Sequence, residues 1–364
     1  MSSTGSRIFG LDLMRTIAVL LVCLLHGREF LQDFFPGFPQ LWFVDGVDLF
    51  FALSGFLIGG IFIRTFGGET GFSWKGIYNF WVRRWFRTLP NYYLILLVNI
   101  ALQMAWCDGY TVSNLWKYFF FVQNLTYLDS LKFFGESWSL CVEEWFYLVF
   151  PLVCVGVSFL IKGRLSKAIL VSTLFIIVFS MLFRVYMVKE MNELSHFEWV
   201  HAFRTVVIYR FDSIVYGVLG AFISIYHKEI WYRFRYVLFA LGIIGIFALG
   251  RYYNLDSNFK KINFDFLSSI SILALLPALS NWKTCKVKFF KEAITFISKI
   301  SYSMYLVNAT LIMGLIRRYF PVNDAGSAIR GYVIFWVLTF VLSYFIYSLY
   351  EKPTTALREK FAIS

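Results

Sequence analysis

Hydrophobic residues fall along this chain in long blocks, each separated from the next by a short polar stretch. An α-helix rises 1.5 Å per residue, so about 20 apolar residues cross a hydrocarbon core of about 30 Å. Ten blocks approach that length, at residues 9-29, 43-65, 89-106, 140-161, 168-188, 205-226, 234-250, 266-281, 294-316 and 331-350. The pattern predicts an all-α, polytopic membrane bundle of about ten transmembrane helices. Residues 1-8 are then an N-terminal segment, 9-351 the membrane domain and 352-364 a C-terminal tail. The first block is expected to stay in the mature protein, since it runs through His26 into charged residues with no small-residue cleavage site after it.

Composition strengthens this picture. Of 364 residues, 59% are hydrophobic and only 15% charged, and the mean hydropathy is +0.65. The net charge of +12 is also what a nucleic-acid binder carries, but here the basic residues are divided among the connections between blocks, so no nucleic-acid partner is expected. With ten spans, Lys75, Arg83, Arg84 and Arg87, then Lys162, Arg164 and Lys167, then Lys228, Arg233 and Arg235, then Lys283, Lys286, Lys288 and Lys291 all fall on the side of the two termini. The positive-inside rule makes that side cytoplasmic. Arg317, Arg318 and Arg330 fall on the other side, so charge fixes the last two spans least well. The five cysteines are scattered and mostly within apolar blocks, and the four histidines lie far apart, so neither a disulfide framework nor a metal site is expected. No soluble catalytic domain is expected, which leaves any chemistry to the membrane domain and its short loops.

Polar residues inside the blocks are the candidates for that chemistry, because ionisable groups at membrane depth face a bundle interior or a water-filled cavity. In LDLMRTIAVLLVCLLHG, residues 11-27, the eleven steps from Arg15 to His26 leave the two side chains about 20° apart and roughly 16 Å apart in rise. The shared face reads Asp12, Arg15, Val19, Val22, His26. It suggests a passage with a cationic entrance and an imidazole deeper in. In VDGVDLFFALSGFLIGG, Asp45 and Asp48 stand near the start of a helix whose Ser54, Gly55, Gly59 and Gly60 form a small-residue face suited to close packing.

ESWSLCVEEWFYLVFP places Glu143 and Glu144 early in the fourth block, where one of them can point at the cavity of His26 or both can simply favour the helix start. Arg184, and Arg210 with Asp212 in YRFDSIVYG, lie at similar depth, as a polar acceptor site or a structural ion pair. In FWVRRWFRTLP, an amphipathic helix ending before Pro90 puts Arg83 and Arg87 on one face, for anionic lipid or for phosphate.

Seven elements follow one another in order: LDLMRTIAVLLVCLLH, GVDLFFALSGFLI, FWVRRWFRTLPNYY, WSLCVEEWFYLVFPL, RFDSIVYG, ISYSMYLVNATL and YEKP, within residues 8 to 353. In this set the chain resembles the acyltransferase-3 family of membrane acyltransferases. The resemblance implies helices in a bacterial cytoplasmic membrane that take an acyl group, most often acetyl, from cytoplasmic acyl-CoA. They deliver it to a carbohydrate acceptor beyond the membrane, such as lipopolysaccharide O-antigen or an exopolysaccharide. Arg15 and His26 match the family's essential pair, and Glu143 matches the acid of its WSLxVE element. After YLV the family commonly has a histidine, and this chain has Asn308. Some members carry a C-terminal SGNH esterase-like domain, and this chain resembles the stand-alone subset.

These readings combine into one expectation. Arg15, Arg83, Arg84 and Arg87 hold the phosphates of acetyl-CoA, the acyl donor, while Asp48, Arg210 and Asp212 bind the acceptor. His26 acts as general base on a sugar hydroxyl or carries the acyl group itself, with Glu143 or Asp48 orienting the imidazole. A transporter or flippase also needs intramembrane charge around a polar cavity, and a membrane scaffold needs no His26 at all. Binding of acetyl-CoA, or release of CoA thiol, separates the enzyme from both.

Overall fold

A computed structural model describes residues 7–35, 45–67, 71–106, 114–125, 133–161, 164–190, 204–252 and 258–361, with residues 251 and 252 described by backbone alone. The principal helices are α1 (Phe9–Gly27), α2 (Gly46–Phe66), α3 (Trp74–Trp106), α4 (Ser137–Ile161), α5 (Leu165–Glu190), α6 (Phe211–Tyr226), α7 (Arg235–Tyr252) and α8 (Asn258–Asn281). α9 (Lys288–Val307) runs through a π-helical turn, Asn308–Met313, into α10 (Gly314–Tyr319). α11 (Ala325–Ile346) likewise passes through a second π-helical turn, Tyr347–Glu351, into α12 (Lys352–Ala356). The described residues form no strand, as the all-α reading expects.

Among the described residues, eight helical stretches are long and apolar enough to cross a membrane, and Phe211–Tyr226 and Arg235–Gly250 are shorter apolar helices. With 16 residues, α6 rises only about 24 Å. Every block marked in the sequence lies on one of these helices, and most differences at their ends are of a few residues. The third block differs more. The expected amphipathic helix ending before Pro90 and the span after it are one helix of 33 residues with Pro90 inside. A bundle tolerates the lost amide where neighbours engage the backbone around it. Here the Tyr302 hydroxyl donates to the Thr88 carbonyl at 2.8 Å, and the Thr88 hydroxyl to that of Arg84 at 3.3 Å.

Helix ends sort onto two faces of the bundle. On one, the Phe9 and Gly10 amides donate to the carbonyls of Lys283 and Trp282, and the Tyr226 hydroxyl donates to that of Gly67. On the other, Arg317 pairs with Glu29, and the Gly135 amide donates to the Thr310 hydroxyl at 3.3 Å. Successive helices therefore run antiparallel, and α1 carries Arg15 toward the first face and His26 toward the second.

Packing follows small residues and aromatic rings, as it must where lipid supplies no hydrophobic contrast. A Cβ at Gly55 would meet the Ile214 carbonyl oxygen at 1.9 Å, and one at Gly217 that of Ala52 at 2.2 Å. The glycine face read in the sequence is thus where α2 and α6 touch backbone to backbone. Beside it, Phe62 packs on Phe66, Phe72, Phe80 and Phe150, which joins α2 to α3 and α4.

Candidate functional site

One stripe of α1 borders two cavities. Arg15, near the start of the helix, lines a narrow cavity of about 90 Å³ together with Ser54, Arg84, Arg87, Glu143 and Tyr302. Val22 and His26 line a wide one of about 740 Å³ with Glu29, Asp45, Asn99, Trp106, Glu136, Trp138 and Arg317. Val47 and Tyr305 belong to both linings. The polar face expected on α1 is present, and it joins an arginine-rich compartment to an imidazole compartment across a partition of two side chains.

In the narrow cavity the cations differ in what holds them. Arg84 is buried, donates to Glu143 Oε2 at 2.9 Å and to the Tyr147 hydroxyl at 2.7 Å, and its guanidinium stands 4.2 Å from the centre of the Tyr147 ring. The Tyr147 hydroxyl in turn donates to Glu143 and bonds Ser54. Asp12, one turn before Arg15, is occupied by Arg7, at 2.6 and 2.8 Å, and by the Ser298 hydroxyl at 2.9 Å. Among the described residues Arg15 and Arg87 make no ion pair. Two cations without a direct ion pair on the wall of one cavity are suited to an anion. Arg83 is exposed and lines neither cavity. The pair on the cavity wall is the buried Arg84 and the more exposed Arg87, three residues apart, rather than the expected Arg83 and Arg87.

His26 is held by a residue that the sequence marked only as a departure. Its Nδ1 lies 2.5 Å from the side-chain oxygen of Asn308. The Asn308 amide nitrogen donates to the Met304 and Tyr305 carbonyls, each at 2.8 Å. Both amide hydrogens are thereby used, so its oxygen faces the ring, and an oxygen of this kind only accepts. The proton must then sit on Nδ1, which leaves Nε2 of the neutral imidazole as a base. The orienting partner is Asn308, not Glu143 or Asp48. The reason is depth: α4 starts at Ser137, so Glu143 and Glu144 lie nearly two turns inside it. There Glu143 meets Arg84, and Glu144 accepts from the Thr88 hydroxyl at 2.7 Å.

The acid at the level of His26 is Glu136, seven residues before Glu143 and so about two turns, or about 10 Å, away on the same face. Thr310 grips it with its amide at 3.1 and 3.3 Å and its hydroxyl at 2.5 Å. Asn308 and Thr310 share the π-helical turn Asn308–Met313. Such turns widen the helix and free backbone groups for other partners. Burial pushes the Glu136 carboxyl up to about 7, against the Thr310 bonds that lower it. Sequence reading missed Glu136, Thr310 and Tyr305; the seven-residue spacing to Glu143 was the available signal for the first.

Asp48, Arg210 and Asp212, expected at the acceptor site, are buried and line neither cavity. Arg210 pairs with Asp48 and Asp265. Arg204 reaches Asp45, Asp48 and Asp265 at 3.2, 3.1 and 3.0 Å, Arg184 pairs with Asp212 at 2.8 Å, and the Ser268 hydroxyl donates to Asp48 at 3.0 Å. This network sews α2, α5, α6 and α8 together. The YEKP element has a structural place too. Glu351 accepts from Asn91 at 2.9 Å and Ser303 at 2.6 Å, which ties the second π-helical turn to α3 and α9.

The acyltransferase domain of the acyltransferase-3 family matches residues 8–348. A Staphylococcus aureus (strain COL) protein named "putative O-acetyltransferase" is 25% identical over 374 residues, covering 94% of this chain and 56% of its own. The O-acetyltransferase OatA of Staphylococcus aureus (strain NCTC 8325 / PS 47) is 25% identical over 370 residues with the same coverage. A Bacillus subtilis (strain 168) protein named "putative peptidoglycan O-acetyltransferase YrhL" is 31% identical over 181 residues, 45% of this chain and 26% of its own. The chain thus spans about half the length of the two staphylococcal relatives. No solved structure gives a significant match.

Proposed function

The chain belongs to the acyltransferase-3 family, and from that premise we propose that it is a transmembrane O-acetyltransferase that moves an acetyl group from acetyl-CoA to a hydroxyl of a carbohydrate. The acceptor is a surface glycan, such as peptidoglycan, O-antigen or exopolysaccharide, and the protein resides in a bacterial cytoplasmic membrane with the Arg15 face inside. The observation that carries this reading is the pairing of compartments: Arg15 and Arg87 without an ion pair in one, and His26 with a basic Nε2 in the other. The first suits the phosphates or thioester end of the donor. The second is wide and lined by Trp106, Trp138 and Tyr305 among polar groups, chemistry that suits a sugar.

In this reading His26 Nε2 takes the hydroxyl proton as the new C–O bond forms and the C–S bond breaks, and Asn308 steadies the ring through Nδ1. General bases of this kind contribute about 10²–10⁴-fold in rate. The test is acetylation of soluble glycans, peptidoglycan strands and O-antigen in separate arms, by proteoliposomes supplied with acetyl-CoA. His26→Ala is expected to lose at least about 100-fold in rate with its melting midpoint kept. Full activity in that variant sinks the assignment.

A further inference from the structure

Three carboxylates line the wide cavity, and they are not equivalent. Glu29 pairs with Arg317, and Asp45 with Arg204. Glu136 is 4% exposed, and its carboxylate is held by the amide and hydroxyl of Thr310, two groups without charge. No cation stands within ion-pair distance of it among the described residues. A buried carboxylate beside an arginine is locked in its charged form, whereas one held only by neutral donors exchanges a proton at small cost.

The same turn holds both groups. Asn308 fixes the His26 ring and Thr310, two residues on, fixes Glu136. The π-helical turn therefore sets the imidazole and the uncompensated acid in one register, on the lining of one cavity.

We propose that Glu136 receives from His26 the proton taken from the acceptor hydroxyl. This inference rests on the acetyl-transfer reading above. The hydroxyl oxygen bonds the acetyl carbon, the thioester C–S bond breaks, and the electron pair leaves with the sulfur. The hydroxyl proton passes to His26 Nε2. The imidazolium then gives it, across water in the wide cavity that both groups line, to the Glu136 carboxylate, which releases it to bulk water, and the thiolate takes a proton from water on its own side. His26 is returned to the neutral tautomer with its proton on Nδ1, the nitrogen that the Asn308 oxygen faces. The other charged or titratable groups around the cavity are Glu29 and Arg317, already paired, Asp45, paired with Arg204, and the Tyr305 hydroxyl, bonded to Ser139 and donating to the Glu136 carbonyl.

Because the carboxyl is pushed up to about 7 by burial, only its ionised form takes the proton, and the rate rises with pH through that value. The experiment uses the full chain in proteoliposomes. Glu136→Gln is expected to lower kcat about 10- to 100-fold, leave KM for acetyl-CoA unchanged and abolish the rising limb near pH 7. Glu136→Asp recovers part of the rate, and Thr310→Val moves the limb to higher pH, since a donor to the carboxylate is lost. Infrared difference spectra of the protein alone give a second arm, independent of turnover. A protonated-carboxyl band that titrates around neutral pH and is missing in Glu136→Gln is expected. Its absence at pH 6 in the unaltered protein overturns the proposal. So does an unchanged pH profile in Glu136→Gln while His26→Ala is inactive, and in that case the transfer reading stands. Full activity in His26→Ala removes both.

Discussion

Two regions of this bundle concentrate charge at membrane depth, and they treat it in opposite ways. In the network of α2, α5, α6 and α8, Arg184, Arg204 and Arg210 each face aspartates within ion-pair distance, and of these residues only Asp45, at its edge, lines either of the two cavities. Along α1, Arg15 faces a cavity without an acid partner, and His26 faces another with a neutral amide. The network spends every charge on its own neighbours. The α1 stripe keeps its charges available. Ionisable side chains inside a membrane are thus no signal of function by themselves; the signal is an ionisable group left unbalanced on a cavity wall.

The largest expected effect breaks the first side of that contrast. Arg210→Met leaves Asp48 and Asp265 without one of their cations in an interior that water does not reach. Removing one partner of a buried pair costs about 3–5 kcal/mol. The detergent-solubilised variant should melt several degrees lower and yield less folded protein, as read by fluorescence-detected size exclusion across a temperature series. His26→Ala, on the cavity side, should leave that melting curve in place. A variant at Arg210 that melts normally yet loses turnover would return this cluster to the acceptor site.

Asn308 gives the next effect, on rate rather than stability. Asn308→Leu removes the acceptor for Nδ1–H, so the ring is free to turn or to move its proton to Nε2, where it no longer acts as a base. A fall in kcat of about 10- to 100-fold is expected, on the scale of losing the hydrogen bond that holds a working histidine ring in place. Partial recovery in Asn308→Gln would show that the carbonyl, rather than side-chain volume, is what His26 needs. An unchanged kcat in Asn308→Leu would detach the residue from the imidazole.

What the sequence made legible, and what it hid, divides along the same line. The spans and the α1 stripe are local properties: one helix carries both Arg15 and His26, so helical period alone puts them on a common face. Partner identity is not local. Arg210 and Asp212 are neighbours in the chain, yet Arg210 pairs with Asp48 and Asp265, and Asp212 with Arg184 from α5. Glu143 shows the same limit in depth, since its helix begins at Ser137 and carries it past the imidazole to Arg84. Glu136 escaped notice because it stands just ahead of an apolar block, where an acid looks like loop. Asn308 was visible as an exception to a pattern, and only the packing of α9 on α1 turns that exception into a contact.

The smallest effect separates two arginines four residues apart. Arg87 lines the narrow cavity without an ion pair, and Arg83, one turn before it and also exposed, lines neither cavity. If the narrow cavity holds an anionic donor, Arg87→Gln should raise KM for acetyl-CoA about tenfold, equivalent to about 1.4 kcal/mol, within the range of one charge-assisted hydrogen bond. Added salt should narrow that difference, because a charge that meets the donor in water is screened. Arg83→Gln should leave KM unchanged while weakening attachment to vesicles rich in anionic lipid, which is what an exposed interfacial arginine contributes. Equal effects of the two variants on KM would mean that the inner surface attracts the donor through its general positive field. Arg87 would then lose its distinction as an unpaired cation on the cavity wall, and the contrast with the closed network would rest on Arg15, His26 and Glu136.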